Sequence, residues 1–265
     1  MRTALLPVAS ALLAVSCGTL PNGRRWGEDA TLAPGGERLA QAARDAALDP
    51  WTWVPLAGAG TIAIAGWDDQ ISSWARDNNP VFGSPKHAEN AGDTLATIGA
   101  DAWLLSLAAT PSGDEAGPWA ADKAKGLGIE WSATWVTSEI TSALKNQFPD
   151  KRPDGSGNGS FPSSGASEAF AYATLTRRNL DAIDVSPVSR GVMQAGVMGV
   201  AAARAWSRVE AGKHDPTDVL VGAALGNFCA RFVHDAFLGL PDDVQLSAFV
   251  DPPRGTYALG LTFRF

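Results

Sequence analysis

A chain of 265 residues, 45% of them hydrophobic, is long enough to bury one ordinary core. Its formal charge of −7 argues against nucleic-acid binding through a broad basic field. The sequence holds no zinc-type Cys/His spacing, nucleotide-binding glycine fingerprint or internal repeat, so neither a metal nor a cofactor is expected.

The opening stretch, "MRTALLPVASALLAVSC", has one cation, an apolar run and then small residues, which is the plan of a secretory signal. Ala14, Val15 and Ser16 directly before Cys17 resemble a bacterial lipobox, in which the cysteine is diacylated and becomes the mature N-terminus. The alternative is an ordinary cleaved signal with a chance cysteine. The expectation is a signal over 1–16 and a lipidated tether over 17–37, rich in Gly, Pro and charge. Such a protein is exported and anchored to a membrane without spanning it. Gly18 after the cysteine, by resemblance to lipoprotein sorting, favours the outer membrane or the periplasmic side of the envelope. Cys229, in "VLVGAALGNFCARFV", reads as a small core hydrophobe.

From Leu39 the texture is helical, and Asp49-Pro50 interrupts it. "WTWVPLAGAGTIAIAG" is apolar but shorter than the ~20 residues of a spanning helix and contains Pro55, so it reads as a buried or interfacial helix. Further helices are expected over "TLATIGADAWLLSLAAT", "GPWAADKAKGLGIEWSATWVTSEITSALKNQF", "SGASEAFAYATLTRR", "SRGVMQAGVMGVAAARAWSRV" and "PTDVLVGAALGNFCARFVHDAF". In the tail, "VQLSAFV" and "TYALGLTFRF" alternate around the turn signal "DPPRG" and predict a β-hairpin. The expected architecture is all-α over 38–240, with a hairpin over 241–265 packed on the helices. Trp51, Trp53, Trp67 and Trp74 surround the first apolar helix, either as an interfacial belt or as core filling.

Residues 145–167, "KNQFPDKRPDGSGNGSFPSSGAS", place Lys145, Lys151 and Arg152 before a glycine- and serine-rich loop that leads into a helix near Ser164. Small residues let an anion approach the free amides and positive dipole end of a helix N-terminus, so the stretch reads as an oxyanion cradle. A solvated basic loop is the bland alternative. In "SRVEAGKHDPTD", Arg208 precedes His214, Pro216 suits a first helical turn, and Asp218 falls one turn beyond the imidazole. A carboxylate on one ring nitrogen fixes the tautomer and leaves the other nitrogen nucleophilic.

Together, Lys145 to Arg152-Pro153 matches K-x6-R-P, "SFPSSGAS" resembles the S-x-P-S-x-H loop, and Ser207-Arg208 to His214 and Asp218 matches S-R-x5-H-x3-D. The chain thus resembles the type 2 phosphatidic acid phosphatase superfamily, with its bacterial acid phosphatases and vanadium haloperoxidases, over residues 50–238. That resemblance implies a helical bundle with a central phosphate site. It implies attack on phosphorus by His214, orientation by Asp218, and phosphate binding by Lys145, Arg152, Arg208, Ser163, Ser164 and the Gly165 amide. It implies no cofactor, and as partners a phosphorylated small molecule or lipid. One departure stands out: Gly165 occupies the position of the histidine that protonates the leaving group. Glu168, one turn on, and His87, on a polar loop, are candidate substitutes, while His234 reads as structural. The expected function is a cell-envelope phosphatase impaired by Gly165. The alternative is a weak pseudoenzyme that binds phosphate or a phospholipid headgroup, with a haloperoxidase third.

Overall fold

The computed structural model describes residues 16–239 and the strand residues 244–251 and 256–263. Residues 1–15 of the expected 1–16 signal and the expected turn at 252–255 lie outside the described residues. The helices are α1 (Gly36–Leu48), α2 (Pro50–Ala65), α3 (Asp68–Asn78), α4 (Pro85–Ala109), α5 (Ala116–Gln147), α6 (Ser164–Ala182), α7 (Pro187–Glu210) and α8 (Pro216–Val233). A π-helical turn, His234–Leu238, continues α8. The chain is mostly helical, as its apolar spacing predicts. Residues Val244–Asp251 (β1) and Thr256–Phe263 (β2) pair antiparallel, in register from Val244 opposite Phe263 to Asp251 opposite Thr256.

α6 and α8 are the inner pair. α6 also packs on α4, α5 and α7, and α8 on α1, α2 and α5. Glycine sets their closeness. A Cβ on Gly226 would stand 2.1 Å from the Ser167 carbonyl oxygen, and one on Gly222 2.6 Å from that of Ser163. The two helices therefore meet backbone to backbone, which brings the start of α8 beside the start of α6.

The structure corrects the sequence at several boundaries. Within the 17–37 segment, expected as a tether, Leu20 and Trp26 are packed against the helices while most of its other residues stay at the surface. Trp26 is 0% exposed and rests on Gly126, where a Cβ would come within 2.1 Å of its ring. Burying one indole removes enough apolar surface from water to hold a Gly/Pro-rich segment down. Asp122 adds an ion pair to Arg25 at 2.8 Å. His87 lies in the first turn of α4, not in a loop, because Ser84 caps the helix and Pro85 starts it. α3 has no counterpart among the expected helices, since "DDQISSWARDN" carries few apolar residues.

The tryptophans around α2 are not core filling. Trp53 is 52% exposed and Trp74 51%, as is much of α2, where Ile64 reaches 91%. No described helix is long and apolar enough to cross a membrane. His234 ends α8 about 27 Å from its start, at 1.5 Å per residue. It is buried there with Asp235 and Glu130, and burial pushes the Glu130 carboxyl up to about 8. Distance alone removes His234 from the chemistry of His214.

Candidate active site

The loop from α5 to α6 is folded by its own backbone. Lys151 bridges to Asn158, and the Arg152 amide donates to the Gly157 carbonyl at 3.0 Å. Gly155 (φ 73°) and Gly159 (φ 91°) turn this small hairpin in the left-handed region, which explains the glycines. Lys145, in the last turn of α5, donates to the Gly159 carbonyl at 2.7 Å, tying helix to loop. The Arg152 Nε is buried without a hydrogen-bond partner among the described residues. A buried guanidinium donor left open is what an arriving oxyanion can satisfy.

Ser163 caps α6, its hydroxyl accepting from the Ala166 amide at 3.4 Å. Its own amide donates to the Asp218 carbonyl at 3.0 Å. That amide is therefore spent on structure, and the first-turn amides of Ser164 and Gly165 are the ones with no intrahelical acceptor. Ser164 is exposed and Ser163 fully buried, so of the two hydroxyls Ser164 is the open one.

His214 directly precedes Asp215, the N-cap of α8, and Pro216 is the first helical residue. The His214 ring is 4% exposed, with Nδ1 2.8 Å from the Ser160 carbonyl oxygen and 3.6 Å from Asp218 Oδ2. The Asp218 carboxylate accepts from the Ser160 hydroxyl at 2.5 Å and the Asp215 amide at 2.9 Å. The ring is thus held by the carbonyl of Ser160, the first residue of the middle motif, to which the sequence assigned no role of its own. An Nδ1–H donated there leaves the Nε2 lone pair free. Burial pushes the His214 pKa below that of ordinary imidazole, against the opposing Asp218 charge.

The cations converge. Lys145 lies within electrostatic reach of Asp218, Arg152 and Arg208, and His214 within reach of Lys145 and Arg208. Burial lowers the pKa of Lys145, and the neighbouring Arg152 and Arg208 lower it further, against Asp218. Arg208, in the last turn of α7, is lowered first by burial and then by Arg204. Lys145, Arg152 and Arg208 are crowded together, with Asp218 near Lys145 and Glu89 and Asp93 near Arg208, and the like charges at the centre favour an added anion.

The substitutes for the missing histidine fare differently. Glu168 is 50% exposed and sits 3.8 Å from the Arg204 guanidinium, so it lacks the burial that its role as an acid requires. The Tyr172 hydroxyl lies 3.3 Å from its other oxygen. His87 is exposed on the first turn of α4, the helix whose Glu89 and Asp93 face Arg208. The residue the sequence missed is Arg204, one turn before Arg208 and pressed against Gly165. Its spacing on α7 was the one available signal. Beside Ser164 and Glu168, a cavity of about 300 Å³ opens between α5 and α6, lined by Trp103, Trp131, Trp135 and Tyr172. Among the described residues no cluster of His, Cys, Asp and Glu could hold a metal ion.

Residues 122–240 match the model of the PAP2 superfamily, a span that includes every motif from Lys145 to Asp218. No curated protein matches the chain in sequence. A similar solved structure is the transmembrane PAP2 type phosphatidylglycerolphosphate phosphatase from Bacillus subtilis, at 20% identity and a TM-score of 0.49, covering 69% of this chain and 92% of that one.

Proposed function

We propose, on the premise that residues 122–240 match the PAP2 superfamily, that this chain hydrolyses phosphoric monoesters through a phosphohistidine at His214. The observation that carries this reading is the ring itself: buried, tied through Nδ1 to the Ser160 carbonyl, and gathered with Lys145 and Arg208. Nε2 attacks phosphorus, and the bond to the ester oxygen breaks with its electron pair staying on that oxygen. Water then attacks phosphorus and returns the imidazole. Lys145, Arg152, Arg208 and the amides of Ser164 and Gly165 stabilise the equatorial oxygens, the kind of charge stabilisation that usually gives the largest catalytic effect. The aromatic cavity beside Ser164 suits an apolar leaving group, whether the substrate is a lipid phosphate or a smaller ester.

Export and anchorage through Cys17 belong to the same proposal. Its thiol is free and exposed, and the apolar faces of α2 suit contact with a lipid surface. Cys17→Ala should leave the protein out of the membrane fraction.

Trapping with an activated aryl phosphate tests the chemistry. Acid-labile label on His214, absent in His214→Ala, is expected. Gly165 favours a second reading, in which the cradle binds a phosphate or phospholipid headgroup with little turnover. Saturable phosphate or vanadate binding without any trapped phosphoenzyme would select it.

A further inference from the structure

Arg204 lies on α7 one turn before Arg208 and is only 9% exposed. Its Nε is 3.3 Å from the Gly165 carbonyl oxygen, its Nη1 donates to the Gly92 carbonyl, and its Nη2 is 3.8 Å from Glu168. A Cβ built on Gly165 would stand 3.5 Å from Arg204 Nη2 and 3.5 Å from Arg208 Cδ. The guanidinium therefore occupies the flank into which a side chain at 165 would extend.

A purely structural bridge between α4, α6 and α7 would not need a cation there. Burying a second arginine beside Arg208 sets like charges against each other, and Arg204 is the first neighbouring charge that lowers the Arg208 pKa. The nearest counter-charge, Glu168, is half exposed and too far for a hydrogen bond. Two of the three nitrogens are committed to backbone carbonyls, and the third, Nη2, is the one that faces the bare side of Gly165.

We propose that Arg204 stabilises the leaving group at the position left empty by Gly165. The inference rests on the phosphatase reading above. As the bond from His214 Nε2 to phosphorus forms, the bond to the ester oxygen breaks and its electron pair stays on that oxygen. The oxygen departs as an anion beside Nη2 and takes its proton from water. Arg204 keeps its own protons, since a guanidinium does not titrate in this range. Charge stabilisation substitutes for proton donation, so poor leaving groups depend on Arg204 more than good ones.

The test uses the full-length protein and a series of aryl and alkyl phosphates of rising leaving-group pKa, with Arg204→Gln and Arg204→Lys. Expected for Arg204→Gln is a loss of kcat/KM of roughly tenfold on the best leaving groups. On the poorest the loss should grow to about 10²–10³-fold, the scale of one lost oxyanion donor. Arg204→Lys should recover part of the loss, and vanadate affinity should stay within a fewfold of the unmodified protein. A uniform loss across the series, in Arg204→Gln and Arg204→Lys alike, would mean a structural bridge and overturn the assignment. If the unmodified protein forms no phosphohistidine at His214, the phosphatase reading falls and takes this assignment with it. If it turns over and Arg204→Gln leaves the leaving-group dependence unchanged, only the assignment of Arg204 falls.

Discussion

Asp218 and His214 stand 3.6 Å apart, and no hydrogen bond joins them. The ring proton goes to the Ser160 carbonyl at 2.8 Å, while the Ser160 hydroxyl donates to Asp218. The carboxylate thus steadies the loop that steadies the imidazole. It also sits at the third position of α8, where it accepts the Asp215 amide and complements the positive end of the helix.

Asp218→Asn should therefore lower kcat by about 10–100-fold, the range for partners that orient a metal-bound histidine through hydrogen bonds, since Asp218 holds the ring in place only through Ser160. Ser160→Ala removes the hydroxyl but keeps the carbonyl, so its loss should be smaller, about tenfold or less. Steady-state rates on one aryl phosphate compare the two. A larger loss in Ser160→Ala than in Asp218→Asn would reverse this order of control.

The pH profile follows from burial. A protonated His214 cannot attack phosphorus, and burial disfavours that form, so its pKa falls below the ordinary ~6.5. The neutral nucleophile then persists as pH drops through 6.5, and the acid limb of kcat/KM should lie below that value. Lys145 is also lowered, so its charge is lost at a pH below the ordinary ~10.4 and an alkaline limb should precede it. Since kcat/KM reports the free enzyme, both limbs belong to the unliganded site. An acid limb above 7 would contradict the burial argument.

The glycines of α8 separate stability from positioning. Gly226→Ala forces a methyl to within 2.1 Å of the Ser167 carbonyl oxygen, which cannot give way without moving α6. A loss of about 1–3 kcal/mol in unfolding free energy is expected, on the scale of other overpacking substitutions. Gly222→Ala presses instead on the Ser163 carbonyl, at 2.6 Å, beside the cradle. It should weaken vanadate binding more, per unit of stability lost, than Gly226→Ala does. Denaturant unfolding and vanadate titration of both variants give the comparison.

Much of this arrangement was legible in the sequence because the cations and His214 stand in tight local spacings at helix ends. Apolar periodicity found α2, α5, α6 and α7 to within a few residues, but it began α4 nine residues late, since Pro85 to Asp93 is polar and its start is marked only by Ser84 and Pro85. α3 has the same polar character. Trp26 looked like part of a tether because its partner, Gly126, is 100 positions away and has no side chain to announce the contact. Ser160 and Arg204 act through tertiary contacts, a backbone carbonyl in one case and the face of a glycine in the other. The sequence shows Ser160 at the head of the middle motif and Arg204 one turn before Arg208, but neither contact can be read from it.

Gly165 joins the sequence to the chemistry most directly. With a glycine there, no side chain at 165 can protonate the leaving oxygen, and general acid help of this kind is worth typically ~10²–10⁴ in rate. Gly165→His would reintroduce a proton donor, and its Cβ meets only ordinary contacts at 3.5 Å. The ring beyond that Cβ must share its space with the Arg204 guanidinium. Gly165→His alone should therefore raise alkyl phosphate hydrolysis only slightly, and Arg204→Ala alone should lower it. Gly165→His combined with Arg204→Ala should exceed both single variants, a strong coupling of the kind expected for residues in contact. Alkyl and aryl phosphate rates for the four proteins complete the cycle. Additive effects would mean that the two side chains do not compete for one place. A full recovery in Gly165→His with Arg204 intact would show that the guanidinium does not hold the position where the acid belongs.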